Sequence, residues 1–157
     1  MALDYIIVWV IVASVTLFAV MRGDQPERLC AAIIAFGVLA DAIFLAIFGP
    51  RGFHDFDVSR IGIDLLQTIG FFWIALRANR TYPLFIVAAQ LVAIIGSMAA
   101  ALVPDGMSVA FWAMTQAPLF LEILLLGGGT IAHAARVSRI GPYNAWSPSK
   151  SETIELL

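Results

Sequence analysis

Long apolar runs, separated by short charged connections, leave this chain few ways to fold. Crossing about 30 Å of hydrocarbon takes about 20 apolar residues in a helix, or somewhat fewer with anchoring residues at the ends. Five runs approach that length, at residues 5–21, 29–49, 61–76, 82–103 and 107–135. The third is the shortest. Transmembrane β-strands would appear instead as alternating segments of about ten residues, and none is present. The expectation is an all-α, polytopic transmembrane helix bundle of five spans, with residues 136–157 as a tail.

Composition supports this reading. The chain has 157 residues, 61% hydrophobic and 13% charged. Soluble domains sit near 45–50% apolar and about 25% charged. A soluble protein of this composition would expose apolar patches far larger than water tolerates. The apolar residues also fall in blocks, for which a bilayer is the natural solvent. A secretory leader would carry a basic start and a small-residue cleavage site. Here Asp4 precedes the first run and Met21-Arg22-Gly23-Asp24 follows it, so the run reads as a permanent helix.

The connections, at 22–28, 50–60, 77–81 and 104–106, hold most of the charge. Turn chemistry marks them in Gly49-Pro50, in Pro83 just inside the fourth helix and in Pro104-Asp105-Gly106. Basic residues then set the orientation. Arg22, Arg28, Arg77, Arg80, Arg136, Arg139 and Lys150 fall on one side, and only Arg51 and Arg60 on the other. Cytoplasmic loops are enriched in Lys and Arg, so the N-terminus is expected outside and the C-terminus in the cytoplasm. Removing the weak third span would strand Arg51, Arg60, Arg77, Arg80 and the basic tail together outside, which argues for five crossings. Tyr5, Trp9 and Trp112 would then lie toward the outer interface, and Trp73 and Tyr82 toward the inner one. Tyr143 and Trp146, after Gly141-Pro142, either rest on the inner membrane surface or belong to a loosely ordered tail, and the second is the favoured reading.

Ionisable side chains inside a span are costly and are candidates for function. Asp41, Asp64 and Glu122 qualify, with amide groups at Gln67, Gln90 and Gln116. At 1.5 Å per residue, Asp41 lies roughly 10 Å and Asp64 roughly 5 Å below the outer boundary, while Glu122 lies past the midplane. Asp64, Gln67 and Thr68 share one helix face, as do Thr115 and Glu122, with Pro118 between them able to free a backbone carbonyl. No Lys or Arg falls within the five runs. Each acid must therefore be protonated and hydrogen-bonded, or reached by water, or matched by a cation or by a base from another subunit. The bland alternative is interhelical glue, in which each acid or amide bonds a neighbouring helix. Asp64 has a second bland reading, reaching the outer headgroup region. Gly96 with Ala100, and Gly127-Gly128-Gly129, mark close helix packing, the triple glycine also allowing a hinge or a partner contact.

Several chemistries lack their residues. Net charge is −2, without the basic face of a nucleic-acid binder. Cys30 is the only cysteine, which excludes an intrachain disulfide. His54 and His133 are expected on opposite sides, and His54-Asp55-Phe56-Asp57 lacks zinc-site spacing. No nucleophile–base pair is evident, and no metal or other cofactor is expected. Asn79-Arg80-Thr81 matches a glycosylation sequon but falls on the expected cytoplasmic side.

Arg22-Gly23 with Pro26-Glu27-Arg28, then Ala75-Leu76-Arg77-Ala78-Asn79-Arg80, Pro83-Leu84 and Ala89-Gln90-Leu91, resemble a group of uncharacterised small polytopic inner-membrane proteins of alphaproteobacterial type. The resemblance covers most of the spans. It implies a multi-pass protein of a bacterial inner membrane and carries no chemistry. The expected function is a non-enzymatic accessory or assembly subunit of a membrane complex, whose partners are the bilayer and other membrane subunits or further copies of the chain. The alternative is a small proton- or cation-coupled transporter or pore, with Asp41, Gln90, Gln116 and Glu122 lining the path.

Overall fold

A computed structural model describes residues 2–49, 58–102 and 108–146. Five helices account for almost all of them: α1 (Ala2–Arg22), α2 (Gln25–Phe48), α3 (Val58–Arg77), α4 (Tyr82–Leu102) and α5 (Ser108–Ile140). Each follows one of the five apolar runs. Three carry stretches long and apolar enough to cross a membrane: Gln25–Phe48, Tyr82–Ala99 and Gln116–Ile140. α1 contributes a shorter apolar stretch, Ile6–Arg22.

The helices form a ring in which each packs on its neighbours in sequence, α5 closes onto α1, and α2 reaches across to α5. The most extensive contact joins α4 and α5. Gly96 of α4 makes it possible: a Cβ there would stand 2.7 Å from Cβ of Met114 on α5, closer than carbon atoms approach. The burial pattern is the reverse of a soluble protein's. Small and branched residues (Val12, Ala19, Ala31, Ile34, Ile74, Ile86) fill the interior together with Phe71 and Leu126. Apolar groups of the same kinds also face outward on every helix, among them Val10, Phe36, Ile69, Phe85 and Leu124. Water would penalise such a surface and lipid would not.

Helix ends differ from the sequence expectation where capping decides them. α2 begins four residues early, at Gln25, because Asp24 and Glu27 form a reciprocal capping box and Pro26 occupies the first turn. The expected first connection, 22–28, therefore shrinks to Gly23 and Asp24. α3 starts at Val58, which places Arg60 inside its first turn. α5 runs to Ile140, past the expected end of its span, and continues through Pro118. It stops where Gly141 takes a left-handed φ of +82° and donates its N–H to the Val137 carbonyl at 2.9 Å. The connections at 50–57 and 103–107, with His54, Asp55 and Asp57, lie outside the described residues, as does the tail beyond Trp146 with Lys150. So do the side chains of Tyr5, Trp112 and Thr115.

The tail up to Trp146 is ordered against the bundle, contrary to the expectation of a loose segment. Ala78 and Trp146 form an isolated antiparallel bridge, and Asn79 donates its N–H to the Ala145 carbonyl at 3.1 Å. The physical reason is aromatic: the Trp146 ring meets Trp73 edge-on, with centroids 5.7 Å apart, and its Nε1 donates to Gln25 Oε1 at 2.6 Å. Residues 141–146 thus make a strap across the end of the bundle formed by the end of α3 and the starts of α2 and α4.

Candidate functional site

Two polar centres are built into this frame, at different depths. The first lies at the end that carries Arg22, Arg28, Arg77, Arg80 and Arg136. It grows out of the capping box: Glu27 Oε2 accepts from the Asp24 backbone N–H at 3.0 Å, and Asp24 Oδ1 accepts from the Gln25 N–H at 2.8 Å. The other oxygen of Glu27 accepts from Nη1 of Arg80, which arrives from the α3–α4 connection. Arg80 Nη2 lies 3.8 Å from Asp24 Oδ2. This ion pair is enclosed, with the Glu27 side chain fully buried and that of Arg80 only 7% exposed. Gly23 lets the turn tighten over it, since a Cβ there would collide with Cβ of Glu27.

The strap roofs the pair. Tyr143 offers its ring to Arg80 at 5.3 Å and to Arg136 at 4.3 Å, and its hydroxyl lies 3.0 Å from Nδ1 of His133. Arg77 stacks over Trp73 at 4.9 Å, beside Trp146. One step inward, the Tyr82 ring fills the space above Gly129, where a Cβ would come within 2.7 Å of it. This gives the triple glycine a specific use: Gly129 admits Tyr82, while Gly127 and Gly128 face open space.

The second centre is near the middle of the bundle. Gln67 of α3 donates to the Ile33 carbonyl of α2 at 3.1 Å. It can do so because Gly37 leaves room for its amide; any Cβ at position 37 would overlap that group. Gln90 of α4 donates Nε2 toward Asp64 Oδ1 at 3.2 Å, with the Asp64 carbonyl at 3.4 Å and Gln67 Oε1 at 3.5 Å. Thr68 Oγ1 donates to the same Asp64 carbonyl at 2.7 Å. Gln67 and Gln90 are both buried. Asp64 therefore belongs to an interhelical cluster with Gln67 and Gln90.

Glu122 of α5 is 2% exposed and lies within electrostatic range of Asp64 and Cys30. Its Oε1 has no hydrogen-bond partner among the described residues, and neither do the buried Ser97 hydroxyl and Nε and Nη2 of Arg80. Thr130, one helical turn below Leu126, donates to that residue's carbonyl at 2.8 Å. Gln116 is half-buried and stays outside the cluster. Asp41 is half-buried on α2 and, like Arg60 and Asp64, has interaction partners of its own. Of the six candidates, the structure thus joins Asp64, Gln67 and Gln90 by hydrogen bonds and brings Glu122 near them.

Glu27 and Arg80 were not among the candidates. Both fall in charged stretches that read as solvated connections. The usable signal was Asp24-Gln25-Pro26-Glu27, a capping box with proline in the first turn. Nothing in the sequence pointed to Arg80 as its partner, 53 residues away. Among the described residues, no group of three His, Cys, Asp or Glu side chains is disposed to hold a metal ion. Comparison with family models, curated proteins and solved structures finds no match.

Proposed function

We propose that the chain is a multi-pass integral membrane protein of a bacterial inner membrane, with five spans, its N-terminus outside and its basic end in the cytoplasm. Within that setting we infer a non-enzymatic role, as an accessory or assembly subunit of a larger membrane complex. The observation that carries this reading is the use made of the intramembrane polar groups. Gln67, Gln90 and Asp64 hydrogen-bond one helix to the next. Such bonds fix helix packing, as interhelical glue does, and this supports the subunit reading. The exposed apolar groups on all five helices leave ample surface for neighbouring membrane subunits.

The test is extraction from the native membrane directly into lipid nanodiscs, followed by native mass spectrometry. A defined heteromeric assembly containing this chain is the expected result. A lone monomer or a pure homo-oligomer overturns the subunit reading.

One observation favours a second reading, a small proton- or cation-coupled carrier. Glu122 is almost fully buried and leaves Oε1 unpartnered among the described residues, close to Asp64. Purified protein in liposomes would then show cation or proton flux that Glu122→Gln abolishes. Equal flux in the variant and the parent removes this reading.

A further inference from the structure

An apolar groove of about 370 Å³ runs along the outside of α1, lined by Trp9, Val12, Ala13, Thr16, Leu17 and Val20, with Ala35 of α2. Its dimensions select its occupant. From Trp9 to Val20 is eleven residues, about 17 Å of helix at 1.5 Å per residue. That is close to the depth of one leaflet, half of a hydrocarbon core of about 30 Å. A slot of that length with an almost wholly apolar lining suits one extended hydrocarbon chain. Small-molecule sites of about 300–1,000 Å³ usually add several converging polar groups. Here, among the described residues, only the Thr16 hydroxyl and the indole N–H of Trp9 are polar.

The Val20 end of the groove opens at the basic end of the bundle. Arg28 is exposed there and sits seven residues before Ala35, on the same face of α2. Arg22, at the end of α1, is also exposed. Neither has an ion-pair partner among the described residues, since Glu27 and Asp24 are engaged by Arg80. Two uncompensated guanidinium groups above an apolar slot one leaflet deep match an anionic phospholipid. Arginine suits phosphate because its planar fork can bond two oxygens at once.

We propose that α1 and α2 hold one anionic phospholipid, with an acyl chain in the groove from Val20 toward Trp9 and its headgroup phosphate at Arg28 and Arg22. This rests on the membrane-spanning reading above, and the experiment separates the two. Protein reconstituted in vesicles is first tested for resistance to carbonate extraction; loss from the membrane at that step overturns the spanning reading itself. Delipidated protein is then titrated with phosphatidylglycerol or phosphatidylcholine and followed by native mass spectrometry. One tightly retained lipid is expected, with at least a fivefold preference for phosphatidylglycerol. Arg28→Gln, an exposed substitution with little bearing on folding, should bring that preference below twofold. Ala13→Phe should plug the slot and remove the retained lipid, and Ala13→Leu provides a milder plug if the larger one does not fold. Unchanged lipid retention in a folded plug variant overturns the site. So does loss of a homodimer in that variant, which would assign the groove to a second copy of this chain.

Discussion

The two polar centres solve the same problem by different means. At the basic end, full charges are buried together: Glu27 takes one hydrogen bond from its own cap and another from Arg80, and Tyr143 covers the guanidinium. In the middle of the bundle, neutral amides and one acid are linked at 3.1–3.5 Å, with a backbone carbonyl as the main acceptor. The difference follows from which groups each centre can reach. A buried ion pair holds best when its hydrogen bonds are complete; Glu27 is bonded at both oxygens, while Nε and Nη2 of Arg80 find no hydrogen-bond acceptor among the described residues and lie under the Tyr143 ring. That is easiest where loops and caps can converge on it. Deep between helices only side chains and a few free carbonyls are within reach, and amides do less harm there when imperfectly paired. The ion pair should therefore be costly to break and the amide cluster tolerant.

The largest effect is expected from breaking one half of the ion pair. Arg80→Ala leaves Glu27 enclosed without its partner, and removing one member of a buried pair typically costs about 3–5 kcal/mol. Thermal unfolding in detergent, followed by size-exclusion chromatography, reads the loss. The double variant Glu27→Gln/Arg80→Ala should recover much of it. A double variant no more stable than Arg80→Ala alone would mean that the two charges are not coupled.

A smaller effect belongs to Gly37, where α2 yields to the Gln67 amide. Gly37→Ala should displace that amide and overpack the contact, at a cost of about 1–3 kcal/mol. The same unfolding measurement applies. A neutral outcome would show that Gln67 can turn away freely, and the central cluster would then lose its anchor on α2.

The smallest change is expected at Gln90 itself. Hydrogen bonds between transmembrane helices average about 0.6 kcal/mol by double-mutant cycles. Gln90→Leu should shift unfolding only slightly. A loss as large as that of Arg80→Ala would erase the contrast between the two centres.

Much of the fold was legible in the sequence. Long apolar runs mark helices whatever surrounds them, so all five elements were expected in the right order. The ends were less legible, because hydropathy falls wherever a charge appears, even when that charge belongs to a helix. Glu27 is the example: it ended the apolar run by composition, yet it sits in the first turn of α2. Of the candidate residues, Gln67 and Gln90 were recognisable as buried amides, but their meeting was not, because depth estimates carry the error of each helix start. The strap was missed because Tyr143 and Trp146 find partners up to 121 residues away, and no local pattern encodes such a distance.

The enclosed carboxylate also sets an order on how the bundle can be made. A chain emerges from its N-terminus, so the α1–α2 hairpin exists before Arg80 has been synthesised. Until that arginine arrives, Glu27 has only its own cap to satisfy it, and the first turn of α2 must stay in contact with water. The hairpin can form alone but cannot enclose Glu27 until Arg80 joins it. Trp146 comes later still, and only then can the strap close over the finished pair. Fusions or truncations placed just before Trp146 should therefore yield a bundle that assembles and then remains unsealed at its basic end.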